Sequence, residues 1–223
     1  MQQFILGFRP SDDACTYPFH IPANAMAVVE LGGTIGLLME LGKEELVREV
    51  EKLVAEIDGG IIKYGTVHRE GGNLTFSYEV DGYGNRILMD DANVPSLLSL
   101  PYLGYVRETD ARYQATRAQI LDGTKNPFFF NGTAGHGIGS PHTGLGNIWH
   151  MGIIMQALTS TKDEEIVDCL EILKRAGSST GFMHESFSKD NVGDFTRQWF
   201  SWANSLFGEL ILRLADAKPH LIF

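Results

Sequence analysis

Twice in this chain a helix-length segment that is apolar on nearly every face runs into an amphipathic one, and this recurrence constrains the fold more than any other feature. Residues 22–41, PANAMAVVELGGTIGLLMEL, carry only Glu30 and Glu40 as charges, the pattern of a helix enclosed by other elements. Gly42 punctuates the run. KEELVREVEKLVAEID then keeps Leu46, Val47, Val50, Leu53, Val54 and Ile57 at i, i+3/i+4 spacing with charges opposite, as a surface helix does. The pairing recurs at 147–160, apolar all round, and 162–176. There Thr161-Lys162-Asp163-Glu164 reads as a capping box, while Lys174, Arg175 and Gly177 suit a helix end. Another long helix is expected over 194–216, on Phe195, Trp199, Phe200, Trp202 and Phe207, with shorter ones near 91–99 and 108–121.

Loops of unusual composition precede the apolar helices. They are RPSDDACTYPFHIP, RILMDDANVP, HGIGSPHTGLG and MHESFSKDNVG. If the apolar helices are parallel inner staves, these loops gather at one end. Inner and outer helices alternating beneath such a rim describe an (α/α) toroid with a concave cleft. The fold expected is therefore all-α, a single domain over 1–223. A short β-hairpin-like insertion is expected near 74–88, where LTFSYEV leads into the Asp81-Gly82-Tyr83-Gly84 turn.

Charge narrows the partners. With 28 Asp and Glu against 18 Lys and Arg, and no basic stripe, the chain repels phosphate backbones and anionic lipid. Nucleic acid is excluded as a partner. No apolar run is read as transmembrane, so no membrane is expected either. The N-terminus lacks a basic region and a small-residue cleavage site, and the chain reads as cytoplasmic. Cys15 and Cys169 are too few and too far apart for a disulfide framework and read as reduced thiols.

The loops are rich in carboxylates, amides, His and aromatics, the mixture a saccharide site needs. Carboxylates and amides bond hydroxyls, rings stack on sugar faces, and two acids cleave the bond. Each motif also has a plainer reading. Ser11, Asp12 and Asp13 are all good N-caps that Arg9 could neutralise, and Asp91 before ANVPSLL is another natural N-cap. Asp90-Asp91-Ala92-Asn93 lacks the glycine and distal glutamate of a calcium loop. His136 and His142 match neither a helical nor a zinc-ribbon ligand spacing, and the glycines between them lack the lysine of a phosphate loop. No metal and no cofactor is called for. Glu185, flanked by apolar residues in GFMHESF, fits acid/base work or a structural bond to a backbone amide.

FRPSDDA, YPFHIPAN, DDANVPSLLSLPYLGY, GIGSPHTG, MHESF and DFTRQWFSWANSLFGELI, in this order, together resemble glycoside hydrolase family 125. The resemblance implies an exo-acting α-1,6-mannosidase with an (α/α)6 toroid and an inverting mechanism. It places the general acid on Asp12 or Asp13, with Asp12 preferred, and the general base on Glu185. Arg9, Asp91, Asn93, His142 and His184 lie in matching motifs and are implied sugar contacts. The substrate is then a mannose-containing oligosaccharide. Inversion needs its two carboxyls about 6.5–9.5 Å apart to admit water. Members are longer, so the chain is expected to supply only the C-terminal half of the toroid, completed by a missing N-terminal half or by self-association. The alternative is a carbohydrate-binding half-domain or interaction subunit without turnover.

Overall fold

The computed structural model describes residues 4–69 and 72–223. The chain divides into two compact units, one of residues up to Met89 with Val94–Ala118, the other of Asp90–Asn93 with Gln119–Phe223.

In the first unit a short strand β1 (Phe19–His20) leads into helix α1 (Ile21–Glu40), which packs along α2 (Glu44–Tyr64). Pro22 sits in the first turn, where its missing N–H costs nothing, and His20 Nδ1 accepts the Ala23 amide at 3.2 Å as the N-cap. Strands β2 (Thr66–His68) and β3 (Leu74–Phe76) form a hairpin. Strand β4 (Glu79–Val80) lies between β1 and β5 (Arg86–Ile87), antiparallel to both. Helix α3 (Ala111–Ile120) follows, and its Thr116 hydroxyl accepts the Phe76 amide at 2.9 Å.

The second unit opens with a hairpin of β6 (Phe129–Asn131) and β7 (His136–Ile138). Strand β8 (Asn147–Trp149) enters the core helix α4 (His150–Leu158), which packs on α5 (Asp163–Gly177) and α6 (Ser201–Ala217). Between the last two helices, β9 (Ser186–Ser188) lies between β8 and β10 (Asn191–Thr196), antiparallel to both. Met151, Ile153, Ile154 and Met155 of α4 are fully enclosed. Gly152 lets the helix approach β7, since a Cβ there would lie 2.7 Å from the Ile138 carbonyl oxygen.

Several expectations are corrected. The chain is not an all-α half-toroid. Of the described residues 45% are helical and 15% strand, in several small sheets. Two strands, β8 and the end of β10, fall in segments read as helix starts. Residues 147–149 and 191–196 are extended and pair with β9, so the helices begin only at His150 and Ser201. Residues 91–99 form bends and turns, and within 74–88 β4 and β5 pair antiparallel across the 81–85 turn while β3 pairs with β2 in a second sheet. Helix α5 starts after Lys162 with no side-chain cap, its first turn carrying Asp163, Glu164 and Glu165 instead.

Helix α4 is more enclosed than α5, as expected, whereas α1 is not the enclosed helix expected from its sequence. Only Ile21, Pro22, Asn24 and Ala25 of α1 are buried, and Leu37, Met39 and Leu41 are more than half exposed. By length and composition alone α1 could cross a membrane, contrary to the sequence reading. Core helices of soluble proteins pass the same test.

Candidate active site

RPSDD caps no helix. Phe8 bridges Ala14, the Asp12 amide donates to the Arg9 carbonyl at 3.0 Å, and the Arg9 amide to the Asp13 carbonyl at 2.7 Å. This is a tight hairpin with Pro10 at its first corner and Asp12 left-handed at φ 68°. Asp12 is exposed at the tip, Asp13 half-buried and Ser11 buried.

Glu79 holds the base of that hairpin. Arg9 Nε donates to its Oε1 at 2.6 Å, while Oε2 accepts the amides of Thr16 and Tyr17 at 2.9 and 3.0 Å. Side-chain exposure is 8% for Arg9 and 0% for Glu79. Tyr78 lies under the guanidinium, and His20 meets the Tyr78 ring edge-on at 4.6 Å. Burial, and after it the Arg9 charge, holds His20 down to about 3, so the ring is neutral and its Nδ1 is free to cap α1. Burial, with the Glu79 charge next, pushes the Cys15 thiol up to about 11. Glu79 was missed from sequence. It alternates with apolar neighbours in a strand-like run, and only the fold shows that it faces inward onto Arg9.

In the second unit Asp91 is wholly buried. Its Oδ1 accepts the Asn93 amide and Nδ2 at 3.1 and 2.8 Å, forming an Asx turn with no helix after it, and its Oδ2 accepts the Ser140 hydroxyl at 3.0 Å. Ser140 Oγ accepts the His142 amide at 3.2 Å in turn, and the Ala92 amide reaches the Gly139 carbonyl at 3.1 Å. The DDAN and GIGSPH segments are thereby tied together. Gly139 also bridges Ile148 of β8, and β8 pairs with β9, whose register sets Trp149 opposite Ser186. Three motifs distant in sequence are thus linked in a chain of contacts, DDAN to GIGSPH, GIGSPH to β8, and β8 to β9 of HESF. His142 is exposed, its ring 6.3 Å from that of Trp149, which stands edge-on to Phe200 at 6.0 Å.

Beside this sheet, His184 is fully buried. Its Nδ1 donates to the Gln198 carbonyl at 2.6 Å and its ring stacks on Phe195 at 3.8 Å. His150 packs edge-on against it at 5.4 Å, and burial, then the His184 charge, holds His150 down to about 3. Glu185 is 5% exposed. Its amide donates to the Thr196 carbonyl at 3.3 Å and its Oε1 pairs with Arg197 Nε at 3.1 Å. Arg197, His150 and Ser140 went unnoticed in the sequence. Among the described residues no three His, Cys, Asp or Glu side chains cluster as a metal site. Asp91, Asn93, His142, His184 and Glu185 therefore share one unit, while Arg9, Asp12 and Asp13 share the other.

A family model described as metal-independent α-mannosidase, GH125, matches residues 5–212. The chain belongs to glycoside hydrolase family 125. It is 50% identical over 215 residues to the meiotically up-regulated gene 157 protein of Schizosaccharomyces pombe, which covers 96% of this chain. It is also similar, at a TM-score of 0.92 and 41% identity over 96% of its length, to a metal-independent α-mannosidase from Streptococcus pneumoniae. That structure is a non-productive substrate complex with α-1,6-mannobiose. The chain spans 42% of the first relative and 51% of the second, about half the length of each. Family membership extends over most of the chain, and the narrower expectation of a C-terminal half alone does not follow from it. The mixed helix-and-sheet fold is the one shared with the solved relative.

Proposed function

We propose that this chain serves the hydrolysis of α-mannosides, cutting terminal α-1,6-linked mannose by an inverting, two-carboxylate mechanism. One observation carries the reading. In a chain of a metal-independent α-mannosidase family, the DDAN and GIGSPH motifs are bonded to each other and linked through β8 to β9, the strand that follows the buried carboxylate Glu185 in the HESF motif. The α-1,6-mannobiose bound by the pneumococcal relative supports the substrate class.

Asp12, exposed at its hairpin tip, donates a proton to the glycosidic oxygen as the bond to C1 breaks. Half-buried Asp13 beside it is the other candidate for this role. Glu185 takes a proton from the water whose oxygen attacks C1 on the opposite face. The released mannose is β-configured. Among the five residues expected at the sugar, His142 is exposed. Arg9, Asp91, Asn93 and His184 are buried, as Glu185 is, and hold the loops in place as well as standing at the sugar. Glu185→Gln tests the reading. It should bind α-1,6-mannobiose like the parent while losing at least about 10²-fold in turnover, as expected when a general base is removed. Near-parental hydrolysis would remove Glu185 from the mechanism.

A further inference from the structure

Among the described residues only two besides glycine adopt positive φ, Asp12 at 68° and Arg197 at 42°. Residues with a Cβ rarely take this conformation, and backbone held there against its preference clusters at functional sites. Asp12 lies in the hairpin assigned the general acid. Arg197 lies against the residue assigned the general base.

Arg197 follows the last residue of β10, Thr196, whose carbonyl accepts the Glu185 amide. The left-handed turn at 197 ends the strand, and the Arg197 guanidinium lies over the Phe200 ring at 5.6 Å. Its Nε sits 3.1 Å from Glu185 Oε1. Exposure is asymmetric, with the glutamate side chain 6% exposed and the arginine 60%. The guanidinium thus lies on the solvent side of an otherwise enclosed carboxylate. The nearby His184 is engaged elsewhere, and no pairing of His150 with Glu185 is seen. His184 is bonded to the Gln198 carbonyl and stacked on Phe195, and His150 packs against His184 and Phe187.

We propose that Arg197 is a positioning residue for Glu185, its guanidinium fixing the carboxylate through Oε1 so that Oε2 takes the proton of the attacking water. The proposal rests on the reading of Glu185 as base. In the step itself a water O–H bond breaks, its proton moves to Oε2 and its oxygen bonds to C1. The glycosidic oxygen leaves with the proton from the aspartic acid, and Glu185 afterwards returns its proton to solvent. Arg197 donates no proton, and it restricts which carboxylate rotamer is available.

The test compares Arg197→Gly with the parent chain, since glycine keeps positive φ without strain and removes only the side chain. Turnover of α-1,6-mannobiose should fall about 10–100-fold with KM little changed, the scale expected when a reacting group is misplaced. Added guanidinium chloride at low concentration should restore part of it. Carbodiimide labelling of Glu185, read by mass spectrometry, should accelerate because the carboxylate is uncovered. Labelling is independent of activity, so it reads whether Arg197 covers Glu185 separately from the base assignment, which an active Glu185→Gln would overturn together with the positioning role. Unchanged labelling, unchanged kcat, or a raised KM at parental kcat would each overturn it. If the glycine variant does not fold, Arg197→Asn, which also tolerates left-handed backbone, is judged by the same measurements.

Discussion

Replacing Glu79 by glutamine probes the buried clamp beneath the acid-bearing hairpin. Glu79 answers Arg9 Nε at 2.6 Å, the Thr16 and Tyr17 amides at 2.9 and 3.0 Å, and the Cys15 thiol, with no exposed surface of its own. Glutamine has one acceptor oxygen. If that oxygen serves the amides, its NH₂ confronts the Arg9 guanidinium, and if it is turned round the amides lose their partner. Breaking a buried pair by removing one partner costs about 3–5 kcal/mol. Because glutamine keeps the volume and part of the bonding, the low end applies, about 3 kcal/mol, or about 6–12 °C in Tm for a chain of this size. A second readout follows from Cys15, whose thiol is pushed up to about 11 by burial and then by Glu79. Removing the negative charge and leaving Arg9 uncompensated both favour the thiolate, so iodoacetamide should alkylate Cys15 faster at pH 8. Adding Arg9→Met should recover most of the lost Tm, since the glutamine oxygen can then face the amides unopposed. Calorimetry and timed alkylation check both, and an unchanged Tm with an unchanged alkylation rate would refute the clamp.

Further outcomes are expected. Asp12→Asn should cost at least about 10²-fold in turnover while Asp13→Asn costs much less, and the reverse ranking would move the acid to Asp13. Burial holds His20 and His150 down to about 3 from an ordinary 6.5, so between those values the unfolded chain binds protons that the folded chain refuses. Stability is then complete above the unfolded value and falls on acidification by about 1.4 kcal/mol per pH unit for each histidine. Calorimetry at pH 7 and 5 should show the drop and His150→Phe should lessen it, whereas a flat Tm would contradict it. The exposed apolar end of α1, with Leu37, Met39 and Leu41, should drive concentration-dependent association in light scattering. Lysine at these three positions should abolish it, and a monomeric parent at high concentration would count against the patch.

What the sequence disclosed follows physical lines. Helices α4 and α5 were legible because one is apolar all round and buried while the other carries a clean stripe, with Ile166, Cys169, Leu173 and Ala176 turned inward. Helix α1 is about as apolar as α4, yet only Ile21, Pro22, Asn24 and Ala25 of it are buried, because composition tells how apolar a face is and not whether another element covers it. Strands β8 and β10 were missed because they are short and their aromatics also fit a helical repeat. Phe195 and Trp199 lie at i, i+4, but the first is in β10 and the second precedes α6. The motif residues could be located as candidates, and the resemblance supplied their roles. Their supports could not be read. Glu79 lies 70 residues from Arg9, and Arg197 takes a backbone conformation that sequence signals only through glycine or asparagine.

The most direct test of the account follows the anomeric proton of the sugar released from α-1,6-mannobiose by ¹H NMR, with a chelator present throughout. The account predicts that β-mannose appears first and mutarotates to the α form, and that Glu185→Gln abolishes its release. First appearance of α-mannose would establish retention and contradict the inverting mechanism in which Glu185 activates a water for direct attack on C1. Release by Glu185→Gln at the parental rate would contradict the assignment of the base.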